Sequence, residues 1–500
     1  MGIVTWFAHS FHKTRLDENK KGIDKYQIYT AKNQYNSCQL IMKPDSDYSN
    51  VEISCDKLVH NDGNSLEVEL FKVCYVDCLS KGIWPDPIPP LDKEIDLKAD
   101  CVQPVLLRVY VSKSASSGTY AGNVNIKVNE KVIRKLELSV HIWNFSLPDR
   151  PACQTAFGIA KSGLSAVYGI GENSKECADL YKKYYDELLK YRISAYDLPV
   201  DILSDEADVY LNDERMTSFV IPYSEEDEKL KRYLDKVRSN RSWFQKGMFY
   251  PLDEPKTEED YEKLDAIHKR LESLEPNYRI VLPFYVNQRS GKAKDACGLM
   301  LGKVNIWCPE SCLFDNINYW DKDREPDGTL GEKLDIRRNT GETIWWYVCC
   351  GPSEPYCNLF ISMQGLNHRL LFWQQWMNNI EGLLYWCTNW WSEKDGTTDP
   401  WTDMATVKSI NNSLYGDGSL FYPGKKVGLD GPVSSLRLEA VRDGIYDYEY
   451  LTIAEKTLGR EYTLKICAEI ITSLTEYTSD EDLFMSVRKK LAERIESMCF

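Results

Sequence analysis

Two neighbouring carboxylates, Asp253 and Glu254, close the apolar stretch GMFYPLDEP at residues 247–255. Paired acids can donate and accept protons in turn, which is general acid–base catalysis. A plainer role is open to them. The segment KTEEDYEKLDAIHKRLESL follows at once and reads as an amphipathic helix, whose positive N-terminal end favours carboxylates. For this pair alone, that role is at least as good as catalysis. Their company shifts the balance. Tyr250 lies just before the acids, and aromatic residues recur towards the ends of other apolar runs: Trp307, then Trp345, Trp346 and Tyr347, then Tyr385, Trp386, Trp390 and Trp391, with Asn389 among them. Sugars stack their C–H faces on aromatic rings, so acids ringed by Trp and Tyr point to a carbohydrate pocket. Tryptophan also fills cores. Because side chains alternate along a strand, one of Trp345 and Trp346 is expected to face outward and serve packing only.

The elements that must position these residues change character along the chain. Up to residue 148 the pattern has period two. NVNIKV places Val124, Ile126 and Val128 on one face, and after a turn at Asn129 and Glu130 the run IRKLELSVHIW does the same with Leu136, Leu138, Val140 and Ile142. SLEVELFKV follows the turn signal HNDGN in the same manner. Such alternation between turns predicts antiparallel strands with one wet face, hence a β-sandwich over 1–148, with WPDPIPPLDK as a long loop within it. The boundary is expected in FSLPDRPAC, residues 145–153.

From Thr155 short apolar runs alternate with helical periods. The strand candidates are TAFGIA, RISAYDLP, FVIPY, GMFYPLDE, RIVLPFY, VNIWCP, TIWWYVCC and GLLYWCT. A helix is predicted over 174–191, where Cys177, Leu180, Tyr184, Leu188 and Tyr191 share a face. Eight strands separated by helices predict a (β/α)8 TIM barrel over 149–455, followed by a helical tail over 456–500. In such a barrel chemistry gathers at the C-terminal strand ends, where Asp253 and Glu254 would lie.

Composition narrows the partners. The chain has 500 residues, 43% hydrophobic and 27% charged, with no apolar run long enough to span a bilayer. The start, MGIVTWFAHSFHKTR, lacks a charged segment leading into an apolar run and a cleavage site, so no secretory leader is expected, and Trp6 argues against myristoylation at Gly2. A net charge of −15 without basic clusters speaks against nucleic acid. Sixteen cysteines and six histidines fall at no zinc-site spacing, so neither a metal nor an organic cofactor is expected, and reduced thiols fit a cytoplasmic location. The sequons at Asn144, Asn240 and Asn411 are then accidental. RSGKAKD (289–295) lacks the glycine spacing of a phosphate loop, and no GxSxG is present.

LDEP, IWWYVCCGPSEPYCNLFI, HRLLFWQQW, GLLYWCTNWW and above all GLDGPVSSLRLEAVRDGIYDYEYL resemble glycoside hydrolase family 123 and the uncharacterised domain family that overlaps it, over roughly residues 100–455. The resemblance implies a β-sandwich followed by a (β/α)8 barrel. It also implies an exo-acting, retaining β-N-acetylgalactosaminidase whose adjacent Asp-Glu pair maps onto Asp253 and Glu254. Retaining glycosidases generally set two carboxylates about 5 Å apart across the scissile bond, which neighbours on one strand end do not readily do. Adjacent acids suit the substrate-assisted exception, in which the sugar's own 2-acetamido oxygen attacks the anomeric carbon. Asp253 would orient that group and stabilise the oxazolinium, while Glu254 would protonate the leaving oxygen and then deprotonate water. Tyr250, Trp307, Trp345, Tyr347, Trp386 and Asn389 are the expected sugar contacts. One position departs from the family pattern: VNIWCP carries Asn305 where an Asp is expected, which puts the sugar preference in question. The closing-helix residues Arg437, Glu439, Arg442 and Asp443 are read as mutual ion pairs. The expected function is hydrolysis of terminal β-linked N-acetylhexosamine, with N-acetylgalactosamine foremost. The alternatives are a glycosidase of another sugar preference and a non-catalytic carbohydrate-binding protein on the same fold.

Overall fold

Alternating apolar residues before position 148 become two facing sheets. In the computed structural model, which describes residues 2–285, 296–315, 330–393, 396–397, 399–402, 404 and 414–498, one sheet runs in the order Ile3–His9, Gln34–Pro44, Gln103–Val111 and Val68–Lys72, all antiparallel. The other runs Glu94–Leu97, Tyr48–Cys55, Gly118–Val128, Lys131–Ser146 and Lys25–Lys32, and only its last pair is parallel. Their inner faces share one apolar cluster. It takes Phe7, Leu40, Val105 and Leu107 from the first sheet and Val124, Ile126, Leu136, Leu138, Val140 and Ile142 from the second. Asn129 and Glu130 both adopt positive φ, 51° and 63°, as a tight two-residue hairpin requires.

The Pro-rich stretch does more than loop. Pro87–Ile88 pairs with Pro432–Ser435, which pairs in turn with Tyr422–Pro423. Ser435 then caps the helix Leu436–Leu458, its hydroxyl accepting from the Leu438 N–H at 3.1 Å. That helix runs straight through residue 455, and the helices Arg460–Cys467 and Glu481–Met498 follow it.

Beyond residue 150 the central strands are parallel and apolar on both faces, the signature of strands covered on both sides. Gln154–Phe157, Gly382–Tyr385, Thr343–Val348, Ile306–Pro309 and Val281–Phe284 form one parallel sheet in that order. The pairing continues from both edges. Phe249 bridges Ile280, Gly247–Met248 pairs with Phe219–Val220, the Val220 N–H donates to the Tyr196 carbonyl at 2.7 Å, and Ala195 bridges Phe157, each bridge and pair being parallel. All eight stretches expected from the sequence thus pair with a neighbour on either side. Ala156, Met248, Val281, Ile306, Cys308, Trp345, Tyr347 and Leu384 meet in one small apolar cluster. The alternate residues, among them Phe157, Leu282, Trp307, Trp346 and Leu383, join a larger cluster with the helices.

The expected helix at 174–191 spans Lys175–Lys190, with Ser174 as its cap and Cys177, Leu180, Tyr184 and Leu188 buried. RSGKAKD and the sequon at Asn411 fall outside the described residues.

Candidate active site

The helix after GMFYPLDEP does not use its acids as caps. It spans Glu258–Leu274 and is closed by a capping box between Thr257 and Asp260. Its orphan N–H groups are served there, three residues past Glu254. Asp253 and Glu254 stand outside the helix, in the turn between the Gly247–Met248 strand and the cap.

That turn is strained at one residue. Glu254 has φ +46°, a left-handed conformation that costs a non-glycine residue about 1 kcal/mol. Such strain persists only where surrounding contacts hold it, and it concentrates at functional sites. Here the contact is a tyrosine: the Tyr347 hydroxyl donates to Glu254 Oε1 at 2.5 Å. Lys256 stands 3.9 Å from the other oxygen. Burial pushes the Glu254 carboxyl above its ordinary range; the Tyr347 bond opposes this, and the neighbouring Asp253 charge reinforces it. Asp253 is exposed and has its own tyrosine, the Tyr250 hydroxyl donating to Oδ1 at 2.8 Å. Tyr250 packs edge-on against Tyr196, ring centroids 5.7 Å apart, and Tyr196 donates to the Tyr385 carbonyl at 2.9 Å. Four strand ends are tied together through these phenols.

Two further acids reach the same rim. Glu310 follows the Ile306–Pro309 strand and bridges Tyr347 across the ladder. It is 7% exposed, and burial, with the Glu254 charge second, pushes its carboxyl up to about 7. Gly351 leaves the room it needs, since a Cβ there would collide with Glu310 Oε1. Asp417 is buried and accepts from the Trp386 indole at 3.1 Å and the Tyr385 hydroxyl at 3.4 Å; burial lifts it to about 6 against those bonds. Neither was singled out from the sequence. Glu310 carries the same signal as Asp253 and Glu254, an acid directly after an apolar strand. Asp417 carries none, lying in a loop well past the last strand.

Trp386 is half-buried at the end of Gly382–Tyr385, its ring lying over Gly418 and tilted against Trp390 at 5.3 Å. The structure therefore gathers Asp253, Glu254, Tyr250 and Tyr347, and sets Trp386 beside the acid Asp417. It does not bring the other three expected contacts to them. Trp307 faces outward, because its neighbours Ile306 and Cys308 take the inner positions, and its indole donates to Glu342 Oε2 at 2.5 Å, just ahead of the next strand's start. Trp345 does face inward, one inward position before Tyr347, but it is fully buried in the space Gly382 leaves. Trp346 takes the outward position and donates to Gln375 at 3.2 Å, so both tryptophans are core. Asn389 is fully buried, and its amide spends both ends on the Ala160 backbone, accepting from N–H at 2.7 Å and donating to C=O at 2.9 Å.

Asn305 is also remote from the acids. It precedes its strand and ties down the start of the preceding one, accepting from the Ile280 N–H and donating to the Tyr278 carbonyl, both at 2.7 Å. The departure from the family pattern at this position thus touches backbone at the far end of the strands. Among the described residues, no group of three or more His, Cys, Asp or Glu side chains comes together to hold a metal ion.

The family model for the catalytic domain of glycoside hydrolase 123 matches residues 186–454, more than half of the chain and all four acids of the rim. The chain belongs to glycoside hydrolase family 123. Among solved structures, this family 123 hydrolase is similar to one from Clostridium perfringens described for glycolipid glycan hydrolysis. The two share 14% identity and a TM-score of 0.69, over 99% of this chain and 98% of that one. A family 39 glycoside hydrolase from Bacteroides cellulosilyticus WH2 matches at 10% identity, 84% and 81% coverage, and a TM-score of 0.34, too low to bear on the fold. No curated protein matches the sequence. No helix among the described residues is long and apolar enough to cross a membrane.

Proposed function

We propose that this glycoside hydrolase removes terminal β-linked N-acetylhexosamine, N-acetylgalactosamine foremost, by substrate-assisted catalysis with retention of configuration. One observation carries the reading. The two acids of the turn are sequence neighbours held by different tyrosines, Tyr250 on Asp253 and Tyr347 on Glu254. Neighbours so held do not straddle a glycosidic bond as nucleophile and acid must, whereas one can orient the substrate's acetamide while the other moves protons. Exposed Asp253 would accept the acetamido N–H and balance the cationic oxazolinium. Glu254, whose surroundings favour its protonated form, would donate to the leaving oxygen and then take a proton from water. Trp386 would support the sugar ring. The parallel pairings, which return from Ala195 to Phe157, support a (β/α)8 barrel with these groups at its C-terminal mouth and a β-sandwich beside it, divided near residues 148 and 455 as the sequence suggests. The thiol usage fits a reducing cytoplasm, and the Clostridium relative's substrate class extends the reading to glycans borne on lipid. The test is a panel of nitrophenyl glycosides differing only at C2 and C4. Turnover of 2-acetamido sugars without turnover of their 2-hydroxy analogues is expected, together with tight competitive inhibition by a thiazoline analogue of the cyclic intermediate. Equal turnover of both sugar types would overturn the mechanism.

A further inference from the structure

Adjacent cysteines end the Thr343–Val348 strand, and the mechanism above uses neither. Cys349 continues the inward row of Trp345 and Tyr347 and packs on the same inner cluster, two residues beyond the tyrosine that holds Glu254. Cys350 is exposed, within electrostatic reach of Asp417, Glu310 and Glu254. The two Sγ atoms lie 3.7 Å apart. The turn that carries them is fixed: the Cys349 N–H donates to the Gly351 carbonyl at 2.8 Å, and buried Asn358 donates to the carbonyls of Cys349 and Pro352, both at 2.9 Å.

Sulfurs each about 2.3 Å from one tetrahedral zinc-class ion lie about 3.8 Å from one another. The pair already has that spacing. We propose that Cys349 and Cys350 form a bidentate site for a soft divalent metal ion at the rim of the active site, and that an ion held there blocks hydrolysis. The location rests on the function proposed above. Binding forms two metal–sulfur bonds, releases the two thiol protons to solvent and changes no oxidation state. Since no third protein ligand joins the pair among the described residues, water fills the remaining positions, and the ion stays exchangeable. It would lie within electrostatic reach of Glu254, Glu310 and Asp417, adding positive charge and bulk beside the proposed acid.

The experiment titrates the full-length protein with Cd2+ alone. Near-ultraviolet thiolate-to-metal absorption is followed in parallel with hydrolysis of a 2-acetamido nitrophenyl glycoside. The expected result is a charge-transfer band saturating at one ion per chain, with loss of hydrolysis over the same range and recovery of both on adding a chelator. Cys350→Ser, a change at an exposed side chain, should lose the band and make hydrolysis insensitive, whereas Cys101→Ser, at an exposed cysteine elsewhere, should keep both responses. No band, or a band that survives in Cys350→Ser, overturns the site. A band with undiminished hydrolysis overturns its position at the rim. A protein that turns over no glycoside defeats the proposed function instead, and the band in wild type and Cys350→Ser still decides the metal site.

Discussion

Two groups of acids among the described residues, one on and around the closing helix and one at the rim, differ in their partners. On the long closing helix Glu439 accepts from Arg108 at 2.9 Å, from Arg442 at 2.6 Å and from Tyr191 at 2.6 Å. Asp447 is flanked by Arg369 and Arg488, and Asp86 by Arg437. Burial alone would raise Glu439 and Asp447, but the guanidinium charges prevail, lowering both and holding Glu439 down at about 2. At the rim no arginine hydrogen-bonds the acids among the described residues, although the Arg437 charge lowers Asp417 a little. Glu254 meets a tyrosine hydroxyl, Asp417 meets a hydroxyl and an indole, Glu310 lies under the Glu254 charge, and burial pushes all three above the ordinary range. An acid neutralised by arginine is a fixed strut, whereas one held by neutral donors keeps a proton it can exchange near neutrality.

The comparison breaks most visibly at the turn. Glu254→Gln should cost ~10²–10⁴-fold on glycosides with poor leaving groups and far less on nitrophenyl glycosides, whose leaving group departs unprotonated. Asp253→Asn should damage both substrate types alike, because every substrate needs its internal nucleophile oriented. Steady-state kinetics on the two substrate classes checks this, and identical leaving-group dependence in both variants would refute the division of labour.

The opposite outcome is expected on the closing helix. Glu439→Gln removes the carboxylate that Arg108 and Arg442 share, leaving them Glu69 and Asp443, and should destabilise by about 3 kcal/mol, while activity per folded molecule stays near wild type. Chemical denaturation paired with active-site titration reads both quantities. Severe catalytic loss at full stability would move Glu439 to the other class.

Tryptophans offer a milder version of the contrast. Trp386→Ala should lower kcat/KM roughly ten-fold, about 1.4 kcal/mol, with little change in melting temperature. Trp307→Phe, changed on the outward face, should lower the melting temperature and leave kcat/KM alone. Exchange of those two effects would mean that the strand's faces have been misread.

Acidity separates the regions with opposite signs. Glu439 binds fewer protons folded than unfolded, so its share of stability is present above pH 4.5 and lost as pH falls towards 2. Glu310 binds more protons when folded, so stability declines as pH rises from 4.5 towards 7. Melting curves across that upper window should flatten in Glu310→Gln, and an unchanged slope would remove Glu310 from the account. The smallest effect is expected at Asn305, whose amide touches only backbone: Asn305→Asp should leave the preference between C4 epimers unchanged on the nitrophenyl panel.

Legibility in the sequence followed the physics of burial. Period-two runs exposed on one face announce which side is wet, and the hairpin around Asn129 and Glu130 could be read residue by residue. The parallel strands could be counted but not oriented, because IWCP is apolar on both faces and gives no sign that Trp307 points out. Trp345 and Trp346 carry the same ambiguity. The acids were readable where they directly follow a strand, as Asp253, Glu254 and Glu310 do. Asp417 was not, since a loop residue is brought to the rim only by tertiary contacts such as that of Gly418 beneath Trp386.

The pairing of Asp86 with Arg437 spans 351 positions. A ribosome releases the first partner long before it makes the second. Throughout that interval Asp86 and Arg108 wait without their helix, and the strand Pro87–Ile88 waits without its neighbour. Long-range closure of this kind slows folding and leaves the nascent chain open to wrong partners. A fragment starting at residue 149 meets the reverse problem, for it would carry Arg437 into its core without Asp86 and Glu439 without Arg108. The N-terminal sheets thus wait for the closing helix, whose buried charges they complete.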